Sequence, residues 1–293
     1  MPSHSGNTAR VAVIQFPGVN CEYETQRALI SSGLDATIFR WNLQVSLLAS
    51  FDAFVLPGGF SYQDRVRAGA IAAKDSIVEE IATQALKGRP VLGICNGAQV
   101  LVEAGLVPGL SDAPQTIRGA EDGTKTFDGI VQMALSPNKS AGRSGYLCEW
   151  VYVKVSEPAS SAFTCALDDG DVIPLPIAHA EGRFVSASRD VTETLGKERL
   201  TRLRYCDETG RVREEFPWNP NGSILSAAAI SNRNGNVLAM MPHPERASWL
   251  RQVPEWIHGE WGRRKKDAKG LFNKMEEPGP GSKIFDSLKR YLG

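Results

Sequence analysis

The stretch RPVLGICNGAQVLVEAG, residues 89–105, places a thiol where two local patterns meet. Val91 to Ile94 is a short apolar run of the kind a buried strand uses, and Cys95 ends it. From Asn96 onward the apolar residues recur at helical spacing. Gly93 and Gly97 flank the cysteine symmetrically, giving the G-x-nucleophile-x-G spacing of an elbow. A sharp strand-to-helix turn crowds the backbone, and side chains at those two positions would clash. The turn puts the sulfur at a helix N-terminus, where aligned peptide dipoles favour the reactive thiolate. It also aims the backbone N–H of Asn96 at whatever Cys95 attacks, which is half of an oxyanion hole. On spacing alone Cys95 is as readily a small buried thiol as a nucleophile.

A nucleophilic cysteine needs a base. The histidines are His4, His179, His243 and His258. His4 falls in a polar tail, and His258 in a stretch of shifted composition. His243 sits in AMMPHPERA, after an apolar run and between two prolines that restrict the backbone. Glu245 is two residues on, so in an extended segment both side chains project to one side. A carboxylate there would orient the imidazole and stabilise its charged form. His179, in IAHAEGR and trailed by Glu181, is the second candidate base, and also a candidate for a pocket wall or a satisfied core histidine. LPGGFSYQD supplies another Gly-rich loop, where the N–H groups of Gly58 and Gly59 can approach an oxyanion unobstructed. For Cys21, Cys148, Cys165 and Cys206 a structural role is the expectation.

These residues need a scaffold. RVAVIQFPG (10–18) reads as a first buried parallel strand, CEYETQRALISSGL (21–34) as a helix, and DATIFRWN as a second strand. FDAFVLPGGF (51–60) reads as a third strand and residues 68–90 as one long amphipathic helix leading to the elbow. This alternation predicts an α/β fold with a doubly wound, mostly parallel sheet flanked by helices. In such sheets ligands collect at the C-terminal ends of the strands, where PGGFSYQD and CNGAQ both fall. The second half is richer in strands (147–155, 172–184, 199–207 and 226–245), with RNGN as a hairpin signal, and should add antiparallel strands to the same core. Residues 251–282 combine a basic run, tryptophans and a Pro/Gly-rich end, and read as a surface insertion or linker within one domain spanning 1–293. KIFDSLKRYL should dock as a terminal helix.

Composition narrows the classes. Acidic and basic residues balance at 33 each, which gives no footprint for nucleic acid or an anionic membrane. No apolar run approaches the roughly 20 residues of a membrane helix, and the polar N-terminus lacks a signal-peptide core, so a cytoplasmic protein is expected. Five cysteines without a CxxC pair argue against a disulfide framework or a zinc knuckle. The N-x-S triplets at Asn138 and Asn221 are expected to be chance matches to a glycosylation signal.

GICNGAQ, PGGFSYQD with RAGAIA, IAHAEGRF, RYCD with NPNGS, and MMPHPERA together resemble the class I glutamine amidotransferases. Within that flavodoxin-like family they are most similar to the glutaminase subunits of phosphoribosylformylglycinamidine synthase. The resemblance covers roughly residues 10–250 and the terminal helix. It implies hydrolysis of glutamine to glutamate and ammonia. A partner synthetase would use that ammonia, with ATP, to convert formylglycinamide ribonucleotide to its amidine in purine biosynthesis. It implies attack by Cys95, proton movement by His243 oriented by Glu245, and an oxyanion hole from Gly59 and Asn96. Gln99, Gly58 and His179 would contact or line the glutamine site. No cofactor or metal is implied in this chain, since ATP and magnesium would belong to the synthetase. A small third subunit is implied as a further partner. Ala98, Gln63 and Ala180 depart from the family's usual residues, residues 111–145 match poorly, and residues 251–282 add a segment beside PHPE. Two other readings stay open: another cysteine hydrolase or glutaminase of the same fold, and a non-catalytic scaffold subunit.

Overall fold

The computed structural model describes residues 8–110, 117–119, 125–127 and 129–293. The polar N-terminal residues 1–7, and parts of the poorly matching 111–145, lie outside it. A nine-stranded sheet organises the chain. One half is parallel: β2 (Asp35–Arg40), β1 (Arg10–Gln15), β3 (Ala53–Leu56), β4 (Val91–Ile94) and the Val237–Met240 strand lie side by side in that order. The other half is antiparallel and continues through Ala227–Ser231, Thr201–Cys206, Leu147–Val155 and Val172–His179. β3, β4 and Val237–Met240 are buried at every residue, as strands covered on both faces must be. The RNGN signal is a hairpin joining Ala227–Ser231 to Val237–Met240, with Gly235 at φ +69°.

Helix α1 (Glu22–Ser31) follows β1, and α3 (Asn96–Glu103) follows β4. The long helix expected over 68–90 is shorter. A single 3-10 turn, Ala72–Lys74, comes first, and α2 begins at Ser76 and ends at Leu86. The break is Asp75, whose backbone is extended and whose side chain accepts a hydrogen bond from the Ile77 N–H (2.9 Å). A carboxylate that caps the following turn starts a helix rather than continuing one. One helix, Arg189–Lys197, has no counterpart in the sequence reading, although Ser188 caps it and Val191 and Leu195 are spaced i,i+4.

The sheet and helices share one large core. The terminal helix Ser282–Leu292 docks into it through Ile284, Phe285 and Leu288. Residues 251–282 are folded, with helices Gly259–Asp267 and Phe272–Met275. Leu250, Val253, Ile257 and Ala268 form a second, smaller core there, packed against Trp150, Tyr152, Trp261 and Met275. The apolar residues among the charges of that stretch therefore have a place to bury. Among the described residues no helix is long and apolar enough to cross a membrane.

Candidate active site

The elbow forms where β4 meets α3. Cys95 has φ +51° and ψ −104°, a conformation that costs a non-glycine residue of order 1–3 kcal/mol. Its N–H donates to the Met240 carbonyl (2.8 Å), which ties the elbow to the neighbouring strand. Both glycines are sterically required. A Cβ on Gly97 would fall 1.9 Å from the Leu56 carbonyl oxygen, and one on Gly93 would fall 2.5 Å from the Gly97 carbonyl oxygen. Asn96 opens α3, and a first-turn N–H has no acceptor within its own helix. Its buried side chain accepts from the Ser61 N–H (3.0 Å) and donates to Asp64 Oδ1 (3.1 Å) and Gln99 Oε1 (2.9 Å). One asparagine thus fastens the Gly-rich loop after β3 to the elbow.

His243 follows the Val237–Met240 strand, and its N–H donates to the Pro176 carbonyl (2.8 Å). Pro244 begins a 3-10 turn over Pro244–Ala247 that swings Glu245 back, so that Oε1 lies 2.5 Å from His243 Nδ1. Both side chains are buried. The C-terminal segment buttresses this turn: Gly281 packs so closely on Pro244 that a Cβ would fall 2.0 Å from its carbonyl oxygen. Burial opposes a charge on His243, but the Glu245 carboxylate and then the Cys95 sulfur outweigh it, and the imidazole is held protonated well above its ordinary range. Its Nε2 is buried and makes no hydrogen bond.

Cys95, His243, Gly59, Gln99, His179 and Glu181 share the wall of one cavity of about 140 Å³. That is below the ~300 Å³ lower bound of drug-sized pockets and suits a small substrate. Gln99 is held by the Asn96 amide and by donating to the Glu181 carbonyl (2.7 Å). Gly59 has φ +141°, and a Cβ there would meet Val19 and Asn20 at 2.7 Å. Gly58 is off the wall and behind the imidazole, where a Cβ would fall 2.7 Å from His243 Cε1. His179 is 3% exposed, and its value is pushed down to about 3, first by burial and then by the charge on His243. It is a neutral ring whose Nδ1 lies 3.1 Å from Asn138 Oδ1. Asn138 and Asn221 are both buried and hydrogen-bonded, which excludes either as a glycan site in the folded chain.

Several wall residues escaped sequence reasoning, among them Asp64, Cys21, Arg246 and Tyr146. Asp64 is pushed up to about 6, by burial first and then by the nearby Glu181 carboxylate. Cys21 lies beside His243, and Arg246 donates to its Sγ (3.2 Å) and to Glu24 Oε1 (2.8 Å). Tyr146 comes from the loop before the Leu147–Val155 strand. No local pattern marks them, and only the elbow and PHPE made their surroundings identifiable. Of the departures, Ala98 is buried in the core and off the wall, Ala180 is on it, and Gln63 is exposed with φ +60°, a backbone that favours glycine.

Comparison with known proteins adds the following. Residues 8–292 match the family model of the CobB/CobQ-like glutamine amidotransferase domain. A protein of Methanothrix thermoacetophila named phosphoribosylformylglycinamidine synthase subunit PurQ is 42% identical, with 97% of this chain and 98% of that protein aligned. The protein of the same name from Pyrococcus horikoshii is also 42% identical, over 82% of this chain and 89% of its own length. A chain of the PurLQS structure from Thermotoga maritima superposes with a TM-score of 0.66 at 31% identity, covering 98% of this chain and 100% of that one.

Proposed function

The chain belongs to the glutamine amidotransferase family, among the PurQ subunits of phosphoribosylformylglycinamidine synthase, and on that premise we propose that Cys95, His243 and Glu245 are its glutaminase triad. Its activity is that of the glutaminase subunit: release of ammonia from glutamine for phosphoribosylformylglycinamidine synthesis. The observation that carries the residue assignment is the buried His243–Glu245 pair on the wall that also carries the elbow cysteine.

The geometry supports the following reaction. Cys95, at the start of α3, reacts as a thiolate whose proton His243 carries. The thiolate sulfur attacks the side-chain amide carbon of glutamine. Negative charge builds on the carbonyl oxygen, where the N–H groups of Asn96 and Gly59 stabilise it. His243 gives its proton to the departing nitrogen, the C–N bond breaks, and ammonia leaves behind a thioester on Cys95. Water then attacks the thioester while His243 takes its proton. The second tetrahedral intermediate expels the thiolate, and glutamate departs. Glu245 fixes the imidazole orientation. His179, neutral throughout, forms wall rather than base. Gln99 holds the substrate, and Gly58 leaves room for the imidazole.

No cofactor takes part in these steps. ATP and magnesium would be held by the synthetase partner, and a small third subunit would complete the assembly; the Thermotoga maritima structure that this chain is similar to is named PurLQS. Such an assembly works in the cytoplasm. Cys95→Ala should abolish glutamine hydrolysis while the circular dichroism of the folded chain is unchanged. An active Cys95→Ala variant would contradict the assignment.

A further inference from the structure

Cys21 is the cavity thiol that glutamine hydrolysis leaves unused. It lies at the start of α1, and its N–H donates to the Gly58 carbonyl (3.2 Å). The space in front of Gly58 is shared by its sulfur and by the His243 ring: a Cβ there would fall 3.1 Å from Cys21 Sγ and 2.7 Å from His243 Cε1. One ligating atom each of Cys21, His243 and Glu245 lie within 4.8 Å of one another, and all three residues are buried. Glu245 Oε2 is buried without any hydrogen-bond partner, and Oε1 lies on the Nδ1 side of the His243 ring, so an ion shared by the two takes Nδ1 in place of their hydrogen bond. We propose that Cys21, His243 and Glu245 form an inhibitory site for a thiophilic divalent cation such as zinc.

The donor set is what zinc takes: thiolate, imidazole and carboxylate, bonded at about 2.0–2.3 Å. Donors already within 4.8 Å can converge on one ion once the His243–Glu245 hydrogen bond opens. Cys21 and His243 both face the cavity, so solvent can fill a fourth position. Thiolate and carboxylate together balance the dication. Arg246 is the opposing group, a guanidinium 3.2 Å from the sulfur. Its charge is matched by Glu24, and its hydrogen bond uses one lone pair of the sulfur. On binding, the thiol proton and the imidazole proton displaced by the metal pass to solvent. A ligated His243 no longer shuttles protons, so the ion stops turnover. That inhibition rests on the glutaminase reading; the binding itself does not.

Zinc alone is the probe, titrated into the full-length chain against a chromophoric chelator, with anomalous diffraction at the zinc edge to place the ion. Wild type should bind one zinc per chain among Cys21, His243 and Glu245. Cys95→Ala should bind it equally well. Cys21→Ala should weaken binding at least about tenfold and raise the zinc concentration that halts glutamine hydrolysis by the same factor. Cys21→Ser serves in its place if the alanine variant does not fold. Cys148→Ser, at an exposed thiol, should change nothing. Zinc that follows Cys95 or Cys148 instead of Cys21, or no anomalous peak at the cluster, overturns the proposal. Stoichiometric zinc at the cluster in a chain without glutaminase activity would sink the glutaminase reading and leave the metal site standing.

Discussion

Glu245 Oε1 lies 2.5 Å from His243 Nδ1, two residues away in the chain and joined through a single proline. The pairing is local, but its setting is not. The His243 N–H is anchored to Pro176 at the sheet's far edge strand, and the turn beneath is packed by Gly281 from the C-terminal segment. A dipeptide spacing thus becomes a fixed dyad because two distant parts of the chain clamp it.

Removing the carboxylate tests the dyad. Glu245→Gln keeps the shape and loses the charge, and kcat should fall by about 10²–10⁴-fold with little change in KM. Steady-state glutaminase assays on the partnered enzyme decide this. A larger effect on KM than on kcat would place Glu245 in substrate binding instead.

The same pair makes stability depend on pH. His243 is held protonated above its ordinary range. The pairing energy is therefore fully present below about pH 6.5, the unfolded value, and is lost as pH rises through the folded one. Urea unfolding of wild type and Glu245→Gln should differ most at low pH and converge as pH rises. A gap that widens with pH would contradict the charged dyad.

Asp64 acts in the same direction, at lower pH. Its folded value is about 6, against about 3.9 when unfolded, so the native state binds a proton that the unfolded chain releases. Wild-type stability should lose a contribution as pH rises between those values, and Asp64→Asn should remove that slope. Glu181→Gln should lower the Asp64 titration midpoint measured by NMR without restoring it fully, because burial is the larger cause.

Two glycines should separate folding from chemistry. Gly97→Ala drives a methyl against the Leu56 carbonyl and should destabilise by about 1–3 kcal/mol or more. Gly58→Ala presses on the His243 ring, and its main loss should be in kcat. Chemical denaturation and kinetics on both variants check the split. Equal destabilisation with unchanged kcat at Gly58 would mean that the imidazole has room to move.

The small core under residues 251–282 should unfold separately. Ile257→Ala truncates one of its buried branched side chains and should cost about 2–5 kcal/mol locally. Hydrogen exchange should speed up in Gly259–Asp267 and stay slow in Val237–Met240. Uniform acceleration would show that the two cores unfold as one.

Much of this was legible in the chain. The elbow was visible because steric crowding leaves glycine at two fixed offsets, and PHPE because prolines fix a short segment by themselves. Most of the parallel half of the sheet announced itself in apolar runs, the edge strand β2 (DATIFR) excepted. Asp75 hid the true start of α2, because an aspartate inside an amphipathic pattern reads as surface until its side chain is seen capping Ile77. Residues 251–282 read as linker because Val253, Ile257 and Ala268 are spread among charges, and the core they share with Leu250 exists only in three dimensions. Cys21 and Asp64 were invisible as wall residues for the same reason. They approach His243 and Gln99 through loops, and no spacing within the chain encodes that approach.

The central claim is that Cys95 carries the acyl group of glutamine. Incubating the chain and its synthetase partner with the glutamine analogue diazo-oxo-norleucine, followed by peptide mass spectrometry, tests it directly. A single covalent adduct on Cys95, lost on prior incubation with glutamine and absent from Cys95→Ala, is the predicted result. An adduct on Cys21 instead, or none while glutamine is still hydrolysed, would contradict it.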